Sequence, residues 1–260
     1  MTSEISRPVR PAAMLIVAHG SRDPRHAATV AAVAERVRAH RPGARVAVGF
    51  LELSVPLAER ALFRLREAGE REVVVLPLLL SRAYHATHDL PALLAQQRVR
   101  MPDLTIHQAD VLGPVPEPLL TAALERRLAE AGLSGPRGNT GVVLASAGTS
   151  DPAARAVLGD LARQWQRAAG WHAVTPAYAS ASPPRTAEAV RALRAAGARR
   201  VAVAPYVIAP GLLPDRIAAG AAEAGADVLA PVLGDAPELA RLLLRRYEAA
   251  LGGPGARLAG

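Results

Sequence analysis

Short apolar runs alternate with amphipathic stretches along most of this chain. Ala13-Met14-Leu15-Ile16-Val17-Ala18 is uninterruptedly apolar and runs up to Gly20, the pattern of a strand buried on both faces. Behind it, Val30, Val33, Ala34 and Val37 recur at helical spacing between Ala27 and Ala39, with charges on the opposite side, until Pro42-Gly43 stops the helix. A second strand is predicted at Arg45–Leu51, a helix from Pro56 to Ala68, and a third strand at Glu72–Leu80. Alternation of this kind predicts a parallel sheet covered by helices.

The same order recurs from Gly141 onward: strand Val142–Ser146, helix Ala153–Ala168, strand Ala173–Ala179, helix Thr186–Ala196, strand Arg200–Ile208. The register is constant. Gly20-Ser21-Arg22-Asp23-Pro24 lies over Gly148-Thr149-Ser150-Asp151-Pro152, Ser54 over Ser182, Pro56 over Pro184 and Pro77 over Pro205, each 128 residues later. Near the ends of the two units Val111-Leu112-Gly113 recurs as Val232-Leu233-Gly234, 121 residues on. The expected fold is therefore α/β, with two duplicated lobes that each carry a parallel sheet flanked by helices and that face one another across a cleft. A tail at 1–12, a lobe at 13–132, a linker at 133–140 rich in Ser, Gly, Pro and Asn, a second lobe at 141–252 and a tail at 253–260 complete the organisation. Ligands of open α/β sheets bind beyond the carboxyl ends of the strands, which places the site there.

Composition narrows the chemistry. Half of the 260 residues are hydrophobic but only 3 % are aromatic, so the core is built from Ala, Val and Leu. There is no lysine; all 31 basic side chains are arginine, which excludes a Walker-A phosphate loop and any Schiff-base enzyme. Cysteine is also absent, which removes disulfides, thiol nucleophiles, zinc ribbons and cysteine-bound iron–sulfur clusters. The net charge of +8 suits an anionic partner. Arginines spread at helical intervals, with few rings to stack on bases, argue against nucleic acid. Neither a signal-peptide core in Met1–Ala12 nor a membrane-length apolar stretch is found, so a cytoplasmic protein is expected.

Scaffold residues should persist in both copies, whereas chemistry can be confined to one. His19, at the end of the first strand, is Ala147 in the second copy; Glu52, at the end of the second, is Ser180; His85, just after the third, is Leu213. Parallel strands bring these ends to one edge. Two imidazoles and a carboxylate suit Fe²⁺, Co²⁺, Ni²⁺ or Zn²⁺ with coordination positions left open, and the same groups accept protons. Asp23 and Pro24 read as a helix cap shared by both lobes, while Arg22 and Arg25 become Ser150 and Ala153 and are candidates for gripping carboxylates. His88 lies one turn after His85; His26, His40, His107 and His172 are given no role.

Ala18-His19-Gly20-Ser21-Arg22-Asp23-Pro24, Phe50-Leu51-Glu52, and Leu76-Pro77-Leu78-Leu79-Leu80 leading to His85 and Asp89-Leu90-Pro91 together resemble the sirohydrochlorin chelatases of siroheme and cobalamin synthesis, in their long, two-lobed class II form. The resemblance implies a metal held by His19, Glu52 and His85 and inserted into a polycarboxylate tetrapyrrole bound in the cleft. It implies no organic cofactor, with the divalent metal a substrate. Substrate-binding side chains are expected at Ser21, Arg22, Arg25, Arg82 and Tyr84. His88 stands where the family often has an acidic residue and Val115 where a His is frequent, and the Cys-rich tail of some long members is missing. The residues alone also fit a metal or tetrapyrrole carrier and a metal-dependent hydrolase. Two fused lobes suggest a pseudo-dimeric monomer, with no nucleic-acid or membrane partner.

Overall fold

The computed structural model describes residues 11–81, 88–113 and 117–252. In the first half, β1 (Ala13–Ala18), β2 (Val46–Phe50), β3 (Glu72–Pro77) and β4 (Thr105–Gln108) form a parallel sheet in the order β2-β1-β3-β4. In the second half, β5 (Thr140–Ser146), β6 (Ala173–Tyr178), β7 (Arg200–Tyr206) and β8 (Val228–Leu229) repeat it as β6-β5-β7-β8. The duplicated α/β architecture expected from the 128-residue register is the one observed. The third predicted strand leaves the sheet at Pro77, although Leu78 still donates to the Val17 carbonyl at 2.8 Å.

Eight α-helices are described: α1 (Pro24–His40), α2 (Ala58–Glu67), α3 (Leu90–Arg100), α4 (Pro118–Glu130), α5 (Pro152–Ala169), α6 (Thr186–Ala195), α7 (Leu212–Glu223) and α8 (Pro237–Ala250). Apolar side chains alternate across each strand and so feed both faces. Ala13, Leu15 and Val17 pack outward against α2 and α3; Val143, Ala145 and Val203 pack outward against α6 and α7. Met14 and Ile16 from one sheet, and Val142 and Leu144 from the other, point inward into a single core shared by α1, α4, α5 and α8. Complete burial of such a side chain contributes about 1.5–3 kcal/mol.

The central layer contains an exchange. The last helix of the first half, α4, lies on β7 of the second sheet, and the last helix of the second half, α8, lies on β3 of the first. Each helix clamps the other half with an arginine. Arg127 of α4 donates to the Leu233 carbonyl at 2.9 and 3.0 Å, and Arg246 of α8 donates to the carbonyls of Val111 at 3.0 Å and Leu112 at 3.2 Å. Arg126 adds a two-pronged ion pair with the buried Glu238, closing to 2.8 Å, and Tyr247 donates its hydroxyl to the buried Ala12 carbonyl at 2.8 Å.

Removing that hydroxyl leaves the Ala12 carbonyl buried without its partner, so Tyr247→Phe is expected to cost about 1–2 kcal/mol. The urea midpoint of unfolding measures it; an unchanged midpoint would show that the carbonyl finds another donor. Among the described residues, no helix is long and apolar enough to cross a membrane.

Candidate functional site

The carboxyl ends of β1 and β2 are zipped beyond the sheet. Leu51 donates to the Ala18 carbonyl and Glu52 to the His19 carbonyl, both at 3.0 Å, which fixes His19 and Glu52 as neighbours across the ladder. Their side chains then meet: His19 Nε2 lies 3.5 Å from Glu52 Oε1, with 34 % and 54 % of the side chains exposed, so both remain reachable. His19 Nδ1 faces the Gly20 carbonyl at 3.3 Å. A carbonyl only accepts, so with Nδ1 donating there Nε2 is the ring atom presented to Glu52. An imidazole nitrogen and a carboxylate oxygen held this way can share a proton or a metal cation. Two donors on a tetrahedral ion with bonds of about 2.0–2.1 Å lie about 3.4 Å apart, close to the observed spacing.

Gly20 sets this geometry. Its φ is +103°, and a Cβ built on it would fall 1.7 Å from the Glu52 carbonyl oxygen, so only glycine lets the β1 turn approach the β2 loop this closely. Ser54 closes the same contact, accepting from the Ser21 amide at 3.0 Å and donating to the Ser21 carbonyl at 2.9 Å. The second half rebuilds the scaffold almost atom for atom. Gly148 has φ +104° against the Ser180 carbonyl, and Ser182 donates to the Thr149 carbonyl at 2.6 Å. Ala147 and Ser180 replace the two chemical groups, so the frame is common to both halves and the donors to one.

The turn residues are occupied with structure. Ser21 Oγ accepts from the Asp23 amide at 3.0 Å, as Thr149 does from Asp151, and the Asp23 carboxylate caps α1 through the Arg25 amide at 2.9 Å. The Arg25 guanidinium grips Asp23 at 2.6 Å and Asp215 of α7 at 2.8 Å, holding the Asp23 carboxyl below its usual range. Arg25 thus ties the carboxyl edges of the two sheets together. Arg22 is exposed, with no acidic partner among the described residues. Arg82, Tyr84 and His85 lie outside the described residues, as does Val115; His88 is exposed immediately ahead of α3. Among the described residues no three His, Asp or Glu side chains gather as a metal cluster.

His26 was given no role on the sequence, and it lies beside the site. It sits in the first turns of α1, half-buried against the Phe50 ring at 6.1 Å between centroids, with Nδ1 buried and without a hydrogen bond. Burial, and then the neighbouring His19, hold its imidazole below the ordinary value, with Asp23 opposing them. The sequence signal for it is the difference between the halves, since the matching position is Ala154. The other three are committed locally: His107 to Glu72 at 2.9 Å, His40 to the Arg36 carbonyl and His172 to the Ala196 carbonyl.

A histidine whose folded-state pKa is depressed binds its proton more readily unfolded, so its contribution is complete above about pH 6.5 and is lost as the pH falls toward the folded value. Stability should therefore fall between about pH 7 and about pH 5, and fall less in His26→Leu. Parallel urea titrations at the two pH values decide this; equal losses would place the acid-sensitive group elsewhere.

The family model described as CbiX matches the chain twice, over residues 13–131 and 141–250. The chain belongs to the CbiX family. It is similar to the sirohydrochlorin ferrochelatase of Priestia megaterium, 28 % identical over 247 residues, covering 94 % of this chain and 92 % of the relative. Among solved structures it is similar to SirB from Bacillus subtilis with Fe³⁺, with a TM-score of 0.80, 26 % identity and coverage of 92 % of this chain and 95 % of that one. The sirohydrochlorin chelatase SirB from Bacillus subtilis subspecies spizizenii in complex with cobalt matches with a TM-score of 0.77, 25 % identity and coverage of 95 % and 98 %. Both CbiX matches fall on sheets of the same strand order, and the His19–Glu52 pair belongs to the first.

Proposed function

We propose that this CbiX-family chain is a sirohydrochlorin chelatase that inserts Fe²⁺ or Co²⁺ into sirohydrochlorin. The observation that carries the reading is the His19–Glu52 pair, 3.5 Å apart at the strand ends of a frame whose copy has neither group. The family and the iron- and cobalt-containing SirB structures support it.

The metal, a substrate, is held by His19 Nε2 and a Glu52 oxygen, with His85, which follows β3 in the sequence, as third ligand. Water fills the remaining positions, and the tetrapyrrole nitrogens displace it. Two pyrrole protons leave as the metal enters; Glu52 and the imidazoles, released from the ion, accept them. Arg22, with Arg82 and Tyr84, meets the substrate's carboxylates, whereas Arg25 and Ser21 hold the turn. One His₂-carboxylate set accepts Fe²⁺, Co²⁺ and Ni²⁺ alike, so supply and geometry select the ion. No organic cofactor takes part. The protein works in the cytoplasm as a pseudo-dimeric monomer, a reading supported by its cysteine-free composition and by the core that already joins two like halves.

Anaerobic incubation with sirohydrochlorin and each metal, followed by absorbance, tests the reading. Acceleration over the spontaneous rate is expected. Tight binding without acceleration would instead make the protein a carrier.

A further inference from the structure

The outer face of the first half carries a groove of about 790 Å³ between the loop after β2, helix α2 and the end of α3. Val55, Leu57 and Phe63 supply its apolar wall, and Arg60, Arg64 and Arg100 stand around it. The apolar residues are unusually open to water: Val55 is 84 % exposed and Phe63 41 %, and Leu53 on the same loop is 51 % exposed. Arg60 lies over the Phe63 ring at 5.6 Å. Among the described residues, Arg60, Arg64 and Arg100 make no ion pair, while Arg66 at the groove margin is engaged by Asp103 at 2.8 Å; Glu59 is the acidic residue of the lining.

The second half shows what the bare scaffold looks like. Leu53, Val55 and Leu57 correspond to Ala181, Pro183 and Arg185, and Arg60, Phe63 and Arg64 to Glu188, Arg191 and Ala192. There the Phe63 position is Arg191, paired with Glu223 at 2.7 Å, and the Arg194–Asp227 pair at 3.2 Å repeats the Arg66–Asp103 pair of the first half, so among the described residues no ring of unpaired arginines around an apolar wall is formed. An apolar floor ringed by unpaired guanidinium groups is thus particular to the half that carries His19 and Glu52. It also adjoins them, because Val55 and Pro56 belong to the loop that Glu52 begins, and the Pro56 carbonyl is tied to the Phe50 amide at 3.0 Å.

We propose that this groove is a second binding site for the polycarboxylate macrocycle, holding the substrate or product on the outer face one loop away from the metal-binding pair. The ligand's identity rests on the chelatase reading; the site rests on its lining. A planar ring with an apolar face and carboxylates at its rim matches an apolar wall flanked by arginines, and the volume is that of a small-ligand site. A second copy of the chain is a poorer match, since a twofold contact would set these arginines against their own images.

Metal-free uroporphyrin, a polycarboxylate porphyrin, is the probe, titrated at low salt by its fluorescence. The wild type is expected to bind in two steps, one of which is lost in Arg60→Glu/Arg64→Glu and weakened about tenfold in Phe63→Ala, with the KM for the macrocycle raised. Arg163→Glu/Arg167→Glu on α5 makes the same change in net charge and is expected to keep both steps. Unaltered binding in the groove variants, or an equal loss in the α5 variant, overturns the proposal. Metal insertion by the same wild-type preparation separates the two readings: insertion without the second step removes the groove alone, and two binding steps without insertion remove the chelatase and leave the groove a porphyrin site.

Discussion

His19→Ala is expected to slow metal insertion by at least about a hundredfold while leaving the fold intact, because on the proposed reading it deletes a ligand and not a packing element. Loss of a group that merely orients a ligand lowers metal affinity 10–100-fold, so loss of the ligand should exceed that range. The His19 side chain is one-third exposed, and the contacts described for its ring are polar and long, 3.3 Å to the Gly20 carbonyl and 3.5 Å to Glu52. Truncation therefore leaves no large cavity. Glu52→Gln, which keeps size and loses charge, should bind Co²⁺ more weakly and insert it more slowly. His172→Ala is the matched control, since that ring bonds the Ala196 carbonyl in the other half. Insertion assays on the three variants at saturating metal, with cobalt affinities by calorimetry, are decisive. Wild-type insertion by His19→Ala would remove the strand-end pair from the mechanism.

The second large effect concerns a residue with no chemistry. Gly20→Ala would force a methyl group to within 1.7 Å of the Glu52 carbonyl oxygen, at a φ of +103° that alanine resists. Backbone must move, at a cost of roughly 3 kcal/mol or more. Gly148→Ala creates nearly the same clash, 2.1 Å from the Ser180 oxygen at φ +104°, and should destabilise comparably. The two variants should differ in one respect. Displacing the Glu52 backbone spoils the pairing with His19, so the folded fraction of Gly20→Ala should bind Co²⁺ weakly, whereas Gly148→Ala should retain wild-type affinity per folded molecule. Equal affinities in the two would mean that the turn holds the fold and not the site.

The sheet order and the His19–Glu52 pair were legible because both follow from short-range rules: apolar runs mark buried strands, and parallel strands share one carboxyl edge. Comparing the halves worked for the same reason, since a 128-residue register separates frame from chemistry at each position. The exchange of α4 and α8 left no such trace. Leu120, Leu124 and Leu128 on one helix and Leu239, Leu242 and Leu243 on the other are apolar faces of one kind, and nothing local says which sheet each will cover. His26 is replaced by Ala154 as clearly as His19 is by Ala147, but a position in a helix lacks the convergence on one sheet edge that makes a strand-end residue legible. Arg25 was read as a grip for substrate because its partner Asp215 is 190 residues away and no local pattern announces it.

The exchanged helices make the halves interdependent in a way that duplication alone would not. A chain cut between them would leave each sheet missing the helix that the other half supplies, with Met14 and Ile16 on one side and Val142 and Leu144 on the other open to water. Neither piece is expected to fold by itself, so melting should be a single cooperative event, and co-expressed pieces should recover structure only by finding each other. The second half, in which Ala147 and Ser180 stand at the positions of His19 and Glu52, thereby acts as a packing partner built into the same polypeptide: α8 covers the sheet whose strand ends carry that pair, so losing it is expected to cost the first half its fold.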